Sequence, residues 1–307
     1  MVERHKPVVA AHRGGGYPFG PENTLYSYRR SVYECGAHIL EIDVRLTKDK
    51  QLVLVHDAHL DRTTNGQGLV GEYTLEELKK LDARAKFRKR NTPIQPLTDG
   101  SMDDPRLFQI PTLEEVFDEF AGCADVTFFL DMKDTGAVAQ TIELIKERKL
   151  ENRIIFGSVA PGPNQAVRRL KPEGIPVGPD VVSVLFMNLL SRLRLFWLYP
   201  HKHEVVGIIH SASLSAFIPP RGIKGKLLGL AEYVLLGGGG RLVNERLVRD
   251  VRHSGRMFAV FGVEMSDPVL IRECLDMGVE IIFSDSPDIA RDTINKWKRE
   301  RQPSQSR

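Results

Sequence analysis

The sequence predicts an α/β protein, a (β/α)8 TIM barrel with a small insertion after the second strand. Two observations carry this. Short apolar runs rich in β-branched residues alternate along the chain with segments of helical spacing, the pattern of a parallel sheet with helical crossovers. The chain, 307 residues with 42% apolar and 27% charged side chains, is also long enough for a single barrel of ~250 residues plus additions.

The apolar runs fall at 8–12, 39–46, 52–56, 126–132, 154–158, 177–184, 205–209, 257–263 and 281–284. Helical spacing occupies 23–35, 112–120, 137–149, 164–170, 244–253 and 268–277. That is one run more than a barrel holds. Only residues 47–51 separate the second run from the third, and a parallel crossover needs roughly a dozen residues or more. Residues 52–56 are therefore expected to return antiparallel, as a hairpin arm turning through Lys48-Asp49-Lys50. That arm leaves from the C-terminal end of its barrel strand, so it carries His56 and Asp57 over the face where barrel sites are built.

Two segments depart from the repeat. Residues 60–110 are long, polar and rich in Arg, Lys, Pro and Gly, and are read as an inserted subdomain. Residues 187–240 are apolar and irregular, with LFWLY, SAFIPP, LLGLAEYVLL and four successive glycines. The barrel unit is expected to span 1–295, with a frayed basic tail at 296–307.

Composition narrows the function classes. Lys plus Arg number 43 and Asp plus Glu 40, a net charge of +3 that does not argue for nucleic acid. The basic run 84–90 is interleaved with one aromatic, Phe87, and reads as a solvated face. Three scattered cysteines, Cys35, Cys123 and Cys274, do not make a disulfide framework or a cysteine zinc site. The charged N-terminal residues are unlike a secretory signal. The longest apolar stretch, 181–199, is interrupted by Arg192 and Arg194 and falls short of the ~20 residues of a spanning helix. A cytoplasmic protein is expected, with peripheral contact at a membrane as the alternative.

Glu41 and Asp43 lie two apart on a predicted strand and so project from one face, with Ile42 toward the helices. Two carboxylates this close stay ionised together only beside a cation, and hard oxygen donors suit Mg²⁺ or Ca²⁺. A salt-bridged pair at a sheet end is the bland alternative. Asp131 and Lys133 repeat the spacing on a later strand. If the barrel closes, both pairs point into one mouth. His12 and Arg13 end the first strand before Gly14-Gly15-Gly16. Glycines let backbone approach a ligand closely, and the arginine fork matches phosphate oxygens. His12 and His56 flanking one phosphate would form an acid–base pair. Asp57 either orients His56 or caps a turn. Asn23 or Thr24 is the expected N-cap of the following helix, with no catalytic part assigned to Glu22. Ser158 and Ser211 lack a nucleophile-elbow context, which argues against a serine hydrolase.

With these residues assembled, the chain resembles the glycerophosphodiester phosphodiesterase family. The matching text runs from AHRGGG through EIDVRLTKDKQLVLVHD to DRTTNGQG, residues 11–68, followed by IPTLEEVF, LDMK and IIFSDSPDIA. The resemblance implies a TIM barrel with a small insertion and hydrolysis of glycerophosphodiesters such as glycerophosphocholine to a glycerol phosphate and an alcohol. It implies one divalent cation, Mg²⁺ or Ca²⁺, on Glu41, Asp43 and Asp131. It implies His12 and His56 as the acid–base pair, and Arg13 and Lys133 as phosphate contacts. Two departures stand out. Asp131 replaces the more usual glutamate, as in the related spider-venom phospholipase D group. Residues 260–265 read VFGVEM where the family has a tryptophan followed by Thr-Val-Asn. His12 as base and His56 as acid is the favoured order, although the sequence does not fix it. The apolar segment with Arg192, Arg194 and Lys202 suits lysophospholipase D action at a membrane surface as an alternative. A catalytically silent phospholipid-binding barrel is the reading from another class.

Overall fold

The computed structural model describes residues 6–88, 92–200, 203–210 and 242–301. The basic run beyond Arg88, Lys202, and the part of the apolar segment holding SAFIPP, LLGLAEYVLL and the glycine run lie outside the described residues. The barrel strands are β1 (Val8–Ala11), β2 (Ile39–Leu46), β4 (Thr127–Met132), β5 (Ile154–Gly157), β6 (Val205–Ile209), β7 (Met257–Phe261) and β8 (Ile281–Ser284). They pair side by side in the order β5-β4-β2-β1-β8-β7-β6, all parallel. β3 (Leu52–Leu54) folds back antiparallel on β2, with Val44 opposite Leu54 and Leu46 opposite Leu52.

The open side between β5 and β6 is where the sequence expectation needs correcting. The apolar run at 177–184 is not a strand. Val177 makes a single parallel bridge to Phe156, with Gly178 N donating to Phe156 O at 2.8 Å. The chain then turns into a helix, Val181–Arg192, capped by Asp180, whose side chain accepts from Ser183 N at 2.8 Å. The bridge takes the place of the missing strand, and Val177 N donates to Glu204 on the β6 side at 3.1 Å.

The crossover helices include α1 (Leu25–Arg29, continued by a wide turn at Arg30–Glu34), α4 (Leu113–Glu119), α5 (Val138–Glu147), α6 (Pro161–Leu170), α7 (Val181–Arg192), α8 (Glu245–His253), α9 (Pro268–Met277) and α10 (Pro287–Arg301). The short helices α2 (Leu75–Lys79) and α3 (Ala85–Arg88) belong to the segment predicted as an insertion. α4 starts with a capping box between Thr112 and Glu115, which satisfies two of its free N–H groups. α10 continues past Lys296, where a fraying tail was expected. Trp297 Nε1 and Arg301 both donate to Asp276 at 2.7 Å and fasten the last turns.

Alternation along the strands divides the core. Val9, Ala11, Ile42 and Leu130 pack outward against the helices. Val8, Ala10, Ile39, Ile155, Val205, Ala259, Ile281 and Phe283 fill the barrel interior. Residues 60–110 add a cluster of Leu60, Val70, Leu78, Ala83 and Ile110, packed on Val53 and Val55 of the hairpin arm. The barrel's apolar plug thus stops one layer below the C-terminal strand ends, and the polar residues begin there.

Candidate active site

A cavity of about 500 Å³ opens at the C-terminal ends of the strands. His12, Arg13, Glu41, Asp43, His56, Asp131 and Lys133 all line it. The structure thus brings every candidate residue to one mouth.

Local backbone explains each placement. At the end of β1 the chain reverses through Arg13 (φ 55°), Gly14 (φ 75°) and Gly15 (φ 102°). Left-handed geometry favours glycine, and at Gly15 a side chain would also meet the Phe19 ring at 2.3 Å. The reversal aims Arg13 N at Glu41 Oε2, 2.6 Å away. Glu41 and Asp43 face inward from β2 as their spacing requires, at 5% and 0% exposure. β2 and β4 run in register with Asp43 opposite Asp131, so neighbouring strands deliver the third carboxylate. One oxygen from each of Glu41, Asp43 and Asp131 lies within 4.8 Å of the others. Lys133 Nζ lies 2.6 Å from Asp131 Oδ2 and 2.9 Å from Asp43 Oδ1.

The hairpin arm places His56. Val55 N donates to Asp43 O at 3.2 Å. The Arg45 fork grips the His56 carbonyl at 2.8 and 3.1 Å. Asp57 accepts from His56 Nδ1 at 2.7 Å, so it orients the ring. Asp57 also accepts from Arg62 Nε at 2.5 Å. Arg62 in turn reaches Glu22 at 2.6 and 2.7 Å, and Glu22 accepts from Arg13 at 3.1 Å. His12 Nδ1 donates to Asp285 at 2.7 Å, from the loop after β8.

Charge settles differently on the groups. Burial works hardest to raise the Asp43 carboxyl, but Lys133, Arg13, His56 and the Asn23 amide hold it below the usual range. Glu41 is driven up, first by burial and then by Asp43. Lys133 is held protonated against burial by Asp43, Asp131 and Glu41. Burial opposes the His12 imidazolium, yet the Asp285 hydrogen bond and the Glu41 charge outweigh it and raise its pKa. The His56 ring is lowered, mainly by burial and then by Lys133 and Arg13, against the pull of Asp43 and Asp57.

Residues 12–173 match the Glycerophosphoryl diester phosphodiesterase family. A glycerophosphodiester phosphodiesterase of Caldanaerobacter subterraneus is 38% identical over 209 residues, 66% of this chain and 78% of that protein. One from Bacillus altitudinis is 27% identical over 92% of this chain and 96% of its own length. The chain belongs to the glycerophosphodiester phosphodiesterase family. It is accordingly a phosphoric diester hydrolase by descent. Solved structures agree on the fold. An Oleispira antarctica phosphodiesterase in complex with sn-glycerol-3-phosphate superposes with a TM-score of 0.63 at 24% identity, over 94% of this chain and 97% of that one. The glycerophosphoryl diester phosphodiesterase domain of a Mycobacterium tuberculosis protein gives 0.69 at 22%, over 95% and 99%.

The acidic triad fits a divalent cation. Asp131 Oδ1 is buried with no hydrogen-bond partner among the described residues, and a cation would offset both the burial and the Asp43 repulsion that raise Glu41. The donors are all hard carboxylate oxygens. In the stretch where this chain departs from the family, Phe261, Gly262 and Glu264 line the cavity. Phe261 and Phe129 each pack edge-on against Phe283, at 6.1 and 5.0 Å.

Four further residues belong to the site that the sequence reading did not assign. Asn23, weighed as an N-cap, leaves that task to Thr24. It takes a left-handed φ of 52° and donates to Asp43 Oδ2 at 2.7 Å, while Tyr28 OH donates to its Oδ1. Glu22, Arg62 and Asp285 are the others. Asp285 lies inside the IIFSDSPDIA match, the one signal that could have drawn attention to it.

Proposed function

We propose that this protein hydrolyses glycerophosphodiesters such as glycerophosphocholine to a glycerol phosphate and an alcohol, with one divalent cation held by Glu41, Asp43 and Asp131. The observation that carries the reading is the convergence of three buried carboxylates with two carboxylate-supported imidazoles in one cavity. Mg²⁺ and Ca²⁺ both suit the donor set, and either would supply positive charge to non-bridging phosphate oxygens.

The chain's own groups divide the rest of the work. Arg13 and Lys133 bind and neutralise the phosphate as charge builds on its oxygens. Asn23 fixes the rotamer of Asp43. The two imidazoles exchange protons with the attacking and leaving oxygens. Their supports are unequal. Asp57 shares its charge with Arg62, whereas the Asp285 carboxylate accepts from His12 with no cation beside it among the described residues' side-chain hydrogen bonds. His12 is therefore the better proton donor and His56 the better acceptor, the reverse of the order favoured from sequence.

The test is a phosphodiester panel assayed with Mg²⁺, Ca²⁺ or Mn²⁺, and with EDTA. Release of glycerol phosphate from glycerophosphocholine, abolished by EDTA and restored by one of these ions, is the expected result. No metal-dependent turnover on any diester would leave the silent phospholipid-binding barrel instead.

A second reading has its own support. Val181, Val184, Leu185, Ile208 and Leu242 also line the cavity and give it an apolar wall. A glycerol head group needs no such wall, but the acyl chain of a lysophospholipid does. Turnover of lysophosphatidylcholine above that of glycerophosphocholine would establish lysophospholipase D action.

A further inference from the structure

We propose that the outer side of α7 and the turn after it form a docking surface for an anionic phospholipid bilayer, which places the cavity mouth at the lipid surface. The proposal deepens the lysophospholipid reading and rests on it only for its purpose, not for its test.

α7 is apolar on two sides. Its inner side contributes Val181, Val184 and Leu185 to the cavity. Its outer side leaves Val182 61% and Phe186 46% exposed. In the turn that follows, Leu193 is 57%, Trp197 72% and Leu198 51% exposed. The turn is fastened to the helix beside them, since Tyr199 packs against Phe186 with ring centroids 6.1 Å apart. Large apolar side chains exposed together on one helix and the turn after it mark an interaction site.

Two features select a bilayer as the occupant. Arg194 lies exposed between Leu193 and Leu195, and Arg192 is partly exposed at the end of α7, its Nε donating to Asn188. Cations set among leucines and a tryptophan match anionic headgroups over an acyl boundary, with the arginine stems lying along the apolar surface. One helix, α7, carries both the patch and an apolar wall of the cavity, so a bilayer seated on its outer side would hold that wall close to the lipid. No helix among the described residues is long and apolar enough to cross a membrane.

The experiment is co-sedimentation of the full chain with phosphatidylcholine vesicles, with and without phosphatidylserine. It is repeated for a triple variant, Leu193→Ser, Trp197→Ser, Leu198→Ser. Trp197 emission is read in parallel in a Trp297→Phe background. The expected result is binding to the phosphatidylserine vesicles, with a blue shift of Trp197. The triple variant should bind more weakly by on the order of tenfold or more. Its hydrolysis of soluble glycerophosphocholine should match the parent, which certifies the fold. Wild-type protein left in the supernatant with both vesicles, equal binding by the variant, or a dimer in gel filtration that the triple variant dissolves would each overturn the proposal. Absent turnover with intact vesicle binding would instead count against the catalytic reading alone.

Discussion

At the scale of single residues, the two imidazoles are alike in type and unlike in support. Replacing either His12 or His56 by alanine should lower turnover by on the order of 10²-fold or more. Near-normal rates in either variant would remove that ring from the mechanism. The pH profile separates their parts. A proton donor must be charged, so activity falls as pH rises through the raised pKa of His12. Asp285→Asn removes an anion that favours the charged ring, and the falling limb should move to lower pH while binding of substrate is kept. A proton acceptor must be neutral, so activity rises as pH climbs through the lowered pKa of His56. Asp57→Asn should displace that rising limb downward. If Asp285→Asn shifts the rising limb instead, the two assignments exchange. Residues that touch the substrate side of the site were legible in sequence because strand spacing fixes their direction: Glu41 with Asp43, and Asp131 with Lys133. Residues that hold them were not. Asn23 meets Asp43 across twenty positions and Asp285 meets His12 across 273, and no local pattern encodes such a meeting.

At the scale of elements, the hairpin was deducible because chain length alone forbids a parallel crossover in five residues. The run at 177–184 misled for a physical reason. A short apolar stretch rich in valine has no periodicity that separates a strand from a buried helix start. The Pro179-Asp180 pair inside it is a helix-start signal that outranks the valines, and Asp180 does cap α7. Element packing also sets the cavity floor. Gly157, opposite Asp131 on the neighbouring strand, leaves room for the Phe129 ring, and a methyl group there would stand 2.3 Å from it. Gly157→Ala should therefore destabilise the fold by about 1–3 kcal/mol through overpacking. It should also depress turnover, because Phe129 and Asp131 share one strand face. Denaturant midpoints and kcat measured together check this, and an unperturbed variant in both would show that the floor yields.

At the scale of the whole molecule, the C-terminal half of the barrel carries a pH-dependent contribution to stability from a ring outside the proposed chemistry. His203, at 2% exposure, enters β6 stacked on Tyr199 at 6.0 Å and touching Arg168. Burial, then the Arg168 charge, lowers its pKa from 6.5 to about 4. The unfolded chain takes up the proton first as pH falls below 6.5, so stability is lost between there and pH 4. The loss from this one ring is about 2 kcal/mol at pH 5. His203→Gln should flatten the decline in urea midpoint between pH 7 and 5 by a matching amount, and an unchanged slope would acquit the ring.

The seam of the barrel, where β1 lies against β8, joins the first barrel strand to the last inside a single proton-transfer unit. The family match stops at residue 173, with every proposed ligand and both imidazoles already made, yet the carboxylate steadying the first imidazole arrives more than a hundred residues later. A nascent polypeptide emerging from the ribosome would therefore carry an unsteadied first imidazole until this late strand is threaded home. Proteolysis that removed the chain from Asp285 onward would likewise weaken the proton donor while leaving every proposed ligand and both imidazoles in place.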